Sequence, residues 1–297
     1  INGDTFHSTA FQNLSKQVKC GLKYVIVDEF SMVSEYFFRI LNNLHQNFPQ
    51  LIFIIIGDEN QLKPVCDNSD SYNYFDNVII HEITNNNKVV LSKCRRSDDE
   101  LFRDVQRVRE GWNFDGFGYG HEIGWKNICY TNFCRKKVNK LCMDKYLKKM
   151  KIKSLLVKAN CNCQFKNCKC LSQDIRLYDK LPLIGYKNCK EHNVYNSVDY
   201  TVVKWDKDNV KILNNFDGTT NIMQTNQITN FFLPAYCITT HKAQGSTIKG
   251  NYSILEWEKM DQTLKYVALS RGERKSNISI VREEQFSTEN VREKMKP

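Results

Sequence analysis

Apolar residues along this chain gather in short runs that break off at polar chemistry. Tyr24 to Val27 is β-branched and apolar, stops at the adjacent carboxylates Asp28 and Glu29, and gives way to the small-residue turn before Ser34. Leu51 to Ile56 repeats the pattern and runs into Gly57-Asp58-Glu59-Asn60-Gln61. Runs of this length and composition predict core strands of an α/β sheet rather than helices. Between them, Phe37, Phe38, Ile40, Leu41 and Leu44 form a helical stripe over residues 34–47 that should pack on that sheet. A second helix is predicted over 98–110, with Leu101, Val105 and Val108 on one side and Arg103, Arg107 and Arg109 elsewhere. Gly111 ends it, and 116–120 reads as loop. Residues 135–153 predict a basic helix whose lysines form a solvated face. Later, 199–205 and 209–213 alternate with period two around Asp206-Lys207-Asp208, the pattern of a hairpin.

Ligands of α/β sheets lie beyond the carboxyl ends of the strands, which is where Asp28 and Glu29 stand. Such a pair suits a magnesium ion and an aimed water, although a strand can also end in acids merely to meet solvent. Further blocks narrow the choice. Tyr236-Cys237-Ile238-Thr239-Thr240-His241-Lys242-Ala243-Gln244-Gly245-Ser246-Thr247 is followed by Tyr266-Val267-Ala268-Leu269-Ser270-Arg271. With the Asp28-Glu29 and Gly57-to-Gln61 blocks, these resemble motifs II, III, V and VI of superfamily 1 helicases, in order. The likeness is to the 1B branch containing the petite-integration-frequency DNA helicases and the bacterial exonuclease V alpha subunit. Gly3-Asp4-Thr5-Phe6-His7-Ser8, Leu91-Ser92-Lys93-Cys94-Arg95-Arg96 and Ile128-Cys129-Tyr130-Thr131-Asn132 are similar to further segments of that branch. The resemblance spans nearly the whole chain, with a gap at about 141–172.

The resemblance implies two RecA-like P-loop NTPase motor domains, the first incomplete, with a small SH3-like β insertion in the second. Residues 1–91 would be the remainder of the first domain (1A). Residues 92–150 and 230–297 would form the second (2A), and 151–229 an insertion holding a cysteine-rich loop and the SH3-like barrel (2B), itself at 185–213. It further implies that Asp28 holds Mg²⁺ through water, Glu29 orients and deprotonates the attacking water, and Gln61 senses the γ-phosphate. Arg96 and Arg271 would stabilise charge on the transferred phosphoryl. Arg96 is preferred over Arg95 for its position in the motif. Gln244 and Gly245 would also meet the nucleotide. Contacts to a nucleic-acid strand are implied for His7, Ser8, Thr131, Asn132, Thr240, His241 and Lys242. The activity implied is ATP-dependent 5′ to 3′ translocation on single-stranded DNA with unwinding of tailed duplexes. A viral-type superfamily 1 RNA helicase and a non-catalytic nucleic-acid-binding module of helicase shape are the alternatives. Replication, recombination and repair are all compatible pathways.

One departure stands out. No Gly-x-x-x-x-Gly-Lys-Ser/Thr phosphate loop occurs, and Ile1 falls at the segment that would follow it. The expectation is a carboxy-terminal major part of a longer helicase, which alone binds and hydrolyses ATP poorly. The competing reading is a helicase that has lost ATP binding.

Composition fits these expectations without selecting among them. The 297 residues, 41% hydrophobic and 12% aromatic, suffice for two cores. A net charge of +10 favours an anionic partner such as nucleic acid. No apolar span approaches the ~20 residues of a membrane helix, so no membrane partner is expected. Protein partners are not indicated. Twelve irregularly spaced cysteines suggest a reducing intracellular compartment rather than a disulfide scaffold. Cys161, Cys163, Cys168 and Cys170 form Cys-x-Cys-x4-Cys-x-Cys, which could bind zinc or be an exposed cysteine-rich insertion.

Overall fold

The structure, a computed structural model, describes residues 16, 18, 20–64, 77–112, 117, 119–120, 123–159 and 171–282. His7, Ser8 and the four cysteines at 161, 163, 168 and 170 lie outside the described residues. The chain divides into two compact units, Ile1–Cys94 and Arg95–Pro297.

In the first unit, β1 (Tyr24–Val27) leads through a single 3-10 turn (Phe30–Met32) into α1 (Glu35–Asn47), then β2 (Ile52–Ile55) and α2 (Val78–Ile83). The two strands pair in parallel, Tyr24 opposite Ile52 and Val27 opposite Ile55. The predicted stripe of α1 buries Phe38, Leu41 and Leu44 in one core with Val25, Val27 and Phe53. The opposite face of the pair, with Tyr24, Ile26, Ile52 and Ile54, is exposed among the described residues. The runs read as wholly buried are thus covered on one face there, because strand side chains alternate and the helices flank a single side.

The second unit runs α3 (Asp99–Arg109), β3 (Lys126–Cys129), α4 (Asn132–Met150), β4 (Leu155–Val157), β5 (Ile175–Leu177), β6 (Pro182–Gly185), β7 (Asp199–Trp205), β8 (Asn209–Asn214) and β9 (Thr220–Gln224). It continues with α5 (Ile228–Phe231), β10 (Phe232–Pro234), β11 (Cys237–Thr239), α6 (Thr240–Ala243), β12 (Tyr252–Leu255), α7 (Gln262–Leu269) and β13 (Ile278–Val281). A parallel sheet is ordered β11-β3-β12-β13, and a five-stranded antiparallel sheet β10-β6-β7-β8-β9. The β7–β8 hairpin forms as its alternation predicts, with Asp206 Oδ1 accepting from the amides of Asp208 and Asn209 at 2.8 and 2.7 Å.

The helix expected over 135–153 begins earlier, at Asn132, because Thr131 caps it by accepting from the Cys134 amide at 3.1 Å. It ends at Met150, where Lys151 turns left-handed. Its face is less solvated than the lysine run suggests, since Arg135, Asn139, Cys142 and Met143 are all buried. Asn139 serves the edge strand β11, donating to the Cys237 carbonyl at 3.0 Å and accepting from the Cys237 amide at 2.9 Å. An aromatic group links α4 and the end of β5 to the starts of β3 and β11: Trp125 meets Tyr236 edge-on at 4.8 Å, Tyr146 stacks on Tyr178 at 4.9 Å, and the Tyr178 and Tyr236 hydroxyls share a hydrogen bond. Among the described residues no helix is long and apolar enough to cross a membrane.

Candidate functional site

In the first unit the two predicted chemical segments leave neighbouring strands at the same end. Asp28 and Glu29 follow β1, and the Gly57-to-Gln61 loop follows β2, its parallel partner. Glu29 is left-handed, at φ 52° and ψ 49°, and its amide donates to Asp28 Oδ1 at 2.8 Å. The next amide, of Phe30, donates to the Ile56 carbonyl at 3.1 Å and ties the acidic turn to the end of β2. Gly57 permits this approach: a Cβ there would lie 2.7 Å from Phe30 Cδ1 and 2.8 Å from its amide nitrogen. Asp58 Oδ1 braces the loop by accepting from both the backbone and side-chain nitrogens of Asn60, at 3.0 and 3.1 Å. Gln61 Oε1 is buried and has no hydrogen-bond partner among the described residues.

In the second unit three stretches far apart in sequence converge. Arg96, exposed, donates to the Ser270 carbonyl at 3.3 Å. Arg271 is buried, with its Nε on the Val267 carbonyl at 3.0 Å, Nη1 on the Ser246 carbonyl at 3.2 Å and Nη2 on Ser270 Oγ at 2.7 Å. Its backbone carbonyl accepts from the Ile248 amide at 2.8 Å. Arg271 is therefore fixed to the turn that follows Gln244 and Gly245, where Gly245 adopts φ 77°. The structure brings Arg96, Arg271 and the Gln244–Gly245 turn together.

The residues assigned to a nucleic-acid strand divide by exposure. Thr240 is fully buried, and its hydroxyl donates to the Cys129 carbonyl at 3.2 Å, so it binds α6 to β3. Thr131 is spent as well: its amide donates to Glu256 Oε2 at 2.8 Å and its hydroxyl lies 2.9 and 3.0 Å from the two Glu256 oxygens. Asn132 is exposed and accepts from Arg135 Nε at 3.0 Å. His241 is exposed, with desolvation lowering its pKa against the pull of Asp261. Lys242 is half-buried and donates to Asn196 Oδ1 in the β6–β7 loop. Desolvation, aided by the charge of Arg135, brings its pKa down to about 8. Lys242, Lys126 and Lys180 line a cavity of about 430 Å³ between β3 and the β6–β7 pair, with Trp125, Tyr200 and the single acid Asp199 also in its wall.

Two residues were not singled out from the sequence. Glu256 is buried, follows β12 and holds Thr131; the strand-then-acid pattern already seen at Tyr24 to Glu29 was the signal for it. Arg135 is buried with neutral partners, Asn132, Gln173 and the Leu171 carbonyl, and desolvation lowers its pKa. No local pattern marks it, because Gln173 lies 38 residues away.

The acidic and glutamine-bearing loops leave a parallel strand pair of an α/β unit at the same end. Residues 3–67 match the family model of an AAA domain. The chain is similar in structure to the Pif1 helicase from Candida albicans, at 18% identity and TM-score 0.60, covering 97% of this chain and 82% of that one. It is likewise similar to Bacteroides Pif1 bound to ssDNA, at 18% identity and TM-score 0.62, covering 98% and 76%. Bacteroides Pif1 in complex with ADP-AlF3 and ssDNA gives 17% identity and TM-score 0.58, covering 98% and 76%. No curated protein matches the sequence. The chain has the fold of Pif1 helicases, in keeping with the superfamily 1 resemblance of its motifs.

Proposed function

We propose that this chain is the motor portion of an ATP-dependent DNA helicase that translocates 5′ to 3′ on single-stranded DNA and unwinds tailed duplexes. The observation that carries the reading is the pairing of Asp28-Glu29 with the Gln61 loop at the carboxyl ends of β1 and β2, locked by Phe30 on Ile56. The donor set fits a magnesium nucleotide: an exposed carboxylate at a strand end, and a buried amide oxygen with no partner among the described residues. Bound ATP with Mg²⁺ would supply the phosphoryl group and neutralise part of its charge. Asp28 would hold the ion through water. Glu29 would take the proton of the attacking water, and Gln61 would contact the γ-phosphate. Arg96 and Arg271 offer guanidinium groups suited to charge developing on a phosphoryl group, with Arg271 preset by its bonds to Ser246 and Val267 carbonyls. Gln244 and Gly245 would adjoin the nucleotide through the same turn.

The domain reading is two RecA-like motor domains, 1–91 and the pair 92–150 with 230–297, separated by an insertion at 151–229. The order β10-β6-β7-β8-β9, with a single 3-10 turn at Thr225–Gln227 ahead of the last strand, supports an SH3-like small barrel in that insertion. His241 and Asn132, both exposed, and Lys242, half-buried, are the candidates for strand contact. The lysine-lined cavity supports a polyanionic partner. Twelve irregularly spaced cysteines suit a reducing compartment.

The test is unwinding of duplexes with 5′ or 3′ tails of DNA or RNA, with nucleotide turnover followed in parallel, in a polypeptide carrying both this chain and a phosphate loop. Nucleotide-dependent unwinding from a 5′ DNA tail is expected. Unwinding confined to RNA would move the assignment to the viral-type RNA helicases, and binding without turnover would make the chain a binding module.

A further inference from the structure

The loop between β6 and β7 carries a second concentration of chemistry that the motor reading does not use. Cys189, Glu191 and His192 offer a thiol sulfur, a carboxylate oxygen and an imidazole nitrogen that all lie within 4.8 Å of one another. Among the described residues none of these three side-chain heads has a hydrogen-bond or ion-pair partner.

The scaffold beneath them is fixed. Cys189 and Val194 exchange both backbone hydrogen bonds, at 2.8 and 2.9 Å, and close a tight turn in which Asn193 is left-handed. The Asn193 carbonyl accepts from the Tyr200 hydroxyl and from Asn221 Nδ2, each at 3.3 Å. Asn188 Oδ1 receives the Asn196 amide at 2.7 Å, and the His192 ring rests edge-on against Phe231 at 5.7 Å. A turn anchored on both sides, with its imidazole oriented by an aromatic wall, holds the ligand set before any ion arrives.

We propose that this Cys-x-Glu-His turn is a transition-metal site for zinc, with three protein ligands and water in the fourth position. The mixed sulfur, nitrogen and oxygen set suits zinc, whereas magnesium and calcium favour oxygen alone. On binding, the Cys189 S–H bond breaks, its proton leaves to buffer and a Zn–S bond forms. Glu191 and neutral His192 donate lone pairs, and no atom changes oxidation state. The site differs from the other close set, Cys129, Cys134 and Glu256, which is buried and whose carboxylate is already held by Thr131. A bound ion would stiffen the same loop whose Asn196 receives Lys242. The proposal rests on the turn alone and stands or falls independently of the helicase reading.

Zinc and cobalt titrations of the full chain test it, in a background with Cys161, Cys163, Cys168 and Cys170 replaced by serine so that only this turn is read. That background should bind one equivalent of zinc, release one proton per ion, and show sulfur-to-cobalt charge-transfer absorption. Cys189→Ser should abolish that absorption. Glu191→Gln, at an exposed position that does not test folding, should weaken zinc on the order of 10–100-fold. A background protein that takes up no zinc, or one whose affinity is unchanged by both Glu191→Gln and His192→Ala, would overturn the assignment.

Discussion

The two units contain the same backbone device and use it oppositely. In each, a parallel strand runs into a left-handed glutamate and then a single 3-10 turn: β1, Glu29 and Phe30–Met32 in one; β12, Glu256 and Trp257–Lys259 in the other. The glutamates sit at φ 52° and ψ 49°, and at φ 59° and ψ 32°. Each turn is also tied to the end of the adjacent parallel strand. The first unit makes the tie with backbone, Phe30 N–H to the Ile56 carbonyl. The second makes it with the glutamate itself, whose buried carboxylate accepts from the Thr131 amide and hydroxyl just past β3. A left-handed glutamate at a strand end is therefore compatible with either chemistry or architecture. What separates them is whether the neighbouring strand is held by main chain or by the side chain.

The strongest way to break the comparison is to remove each charge in turn. Glu29→Gln should cut nucleotide turnover by about 10²–10⁴-fold, the usual size of a general-base contribution, with little change in Tm or in DNA affinity. Unchanged turnover would remove Glu29 from its assigned role. Glu256→Gln should do the reverse. It replaces one charged acceptor shared by two Thr131 donors, and should cost about 1.5–3 kcal/mol of stability by denaturant titration. If Thr131→Val in that background still costs as much as it does alone, the two side chains are not coupled and the architectural role fails.

These two glutamates also mark how far sequence reading reached. Strands β1 and β2, helices α1 and α3, and the β7–β8 hairpin were legible because each is specified by local periodicity and its own turn or cap residues. Glu29 was legible because an apolar run ended on it. Glu256 carries the same signal, but its carboxylate is engaged by Thr131, 125 residues away in sequence. Thr240 was named for its motif, yet its hydroxyl is directed inward by β3, a strand 111 residues earlier. Arg135 was lost in a lysine-rich helix for the same reason. Parallel sheets join distant segments, so which polar group turns inward is decided by neighbours that no local window contains.

The backbone tie in the first unit can be sharpened at Gly57. An alanine Cβ would collide with Phe30 at both ring and amide, so Gly57→Ala must displace the acidic turn. A loss of about 1–3 kcal/mol is expected by thermal or denaturant unfolding, as for overpacking elsewhere. Turnover should fall as well, because Glu29 precedes the displaced residue. A variant with wild-type stability and turnover would mean that the Phe30–Ile56 contact is not what positions Glu29.

The smallest effect concerns Lys242, half-buried in the second unit. Its ammonium is partly desolvated, stands near Arg135 and has a pKa of about 8. Because the folded value lies below the ordinary lysine value of 10.5, the folded state binds fewer protons than the unfolded one between about 8 and 10.5. Stability should therefore rise with pH across that window, and the cost of holding the charge is fully present below it. Nucleic-acid affinity should move the other way. A phosphate contact needs the ammonium, so affinity for a DNA strand should weaken severalfold as pH rises through about 8, on the scale of one lost phosphate contact. Lys242→Arg, which stays charged, should remove that pH dependence while keeping the salt dependence. A wild-type affinity that is flat across the window would place Lys242 with Glu256, as a group spent on the fold through Asn196 rather than on a partner.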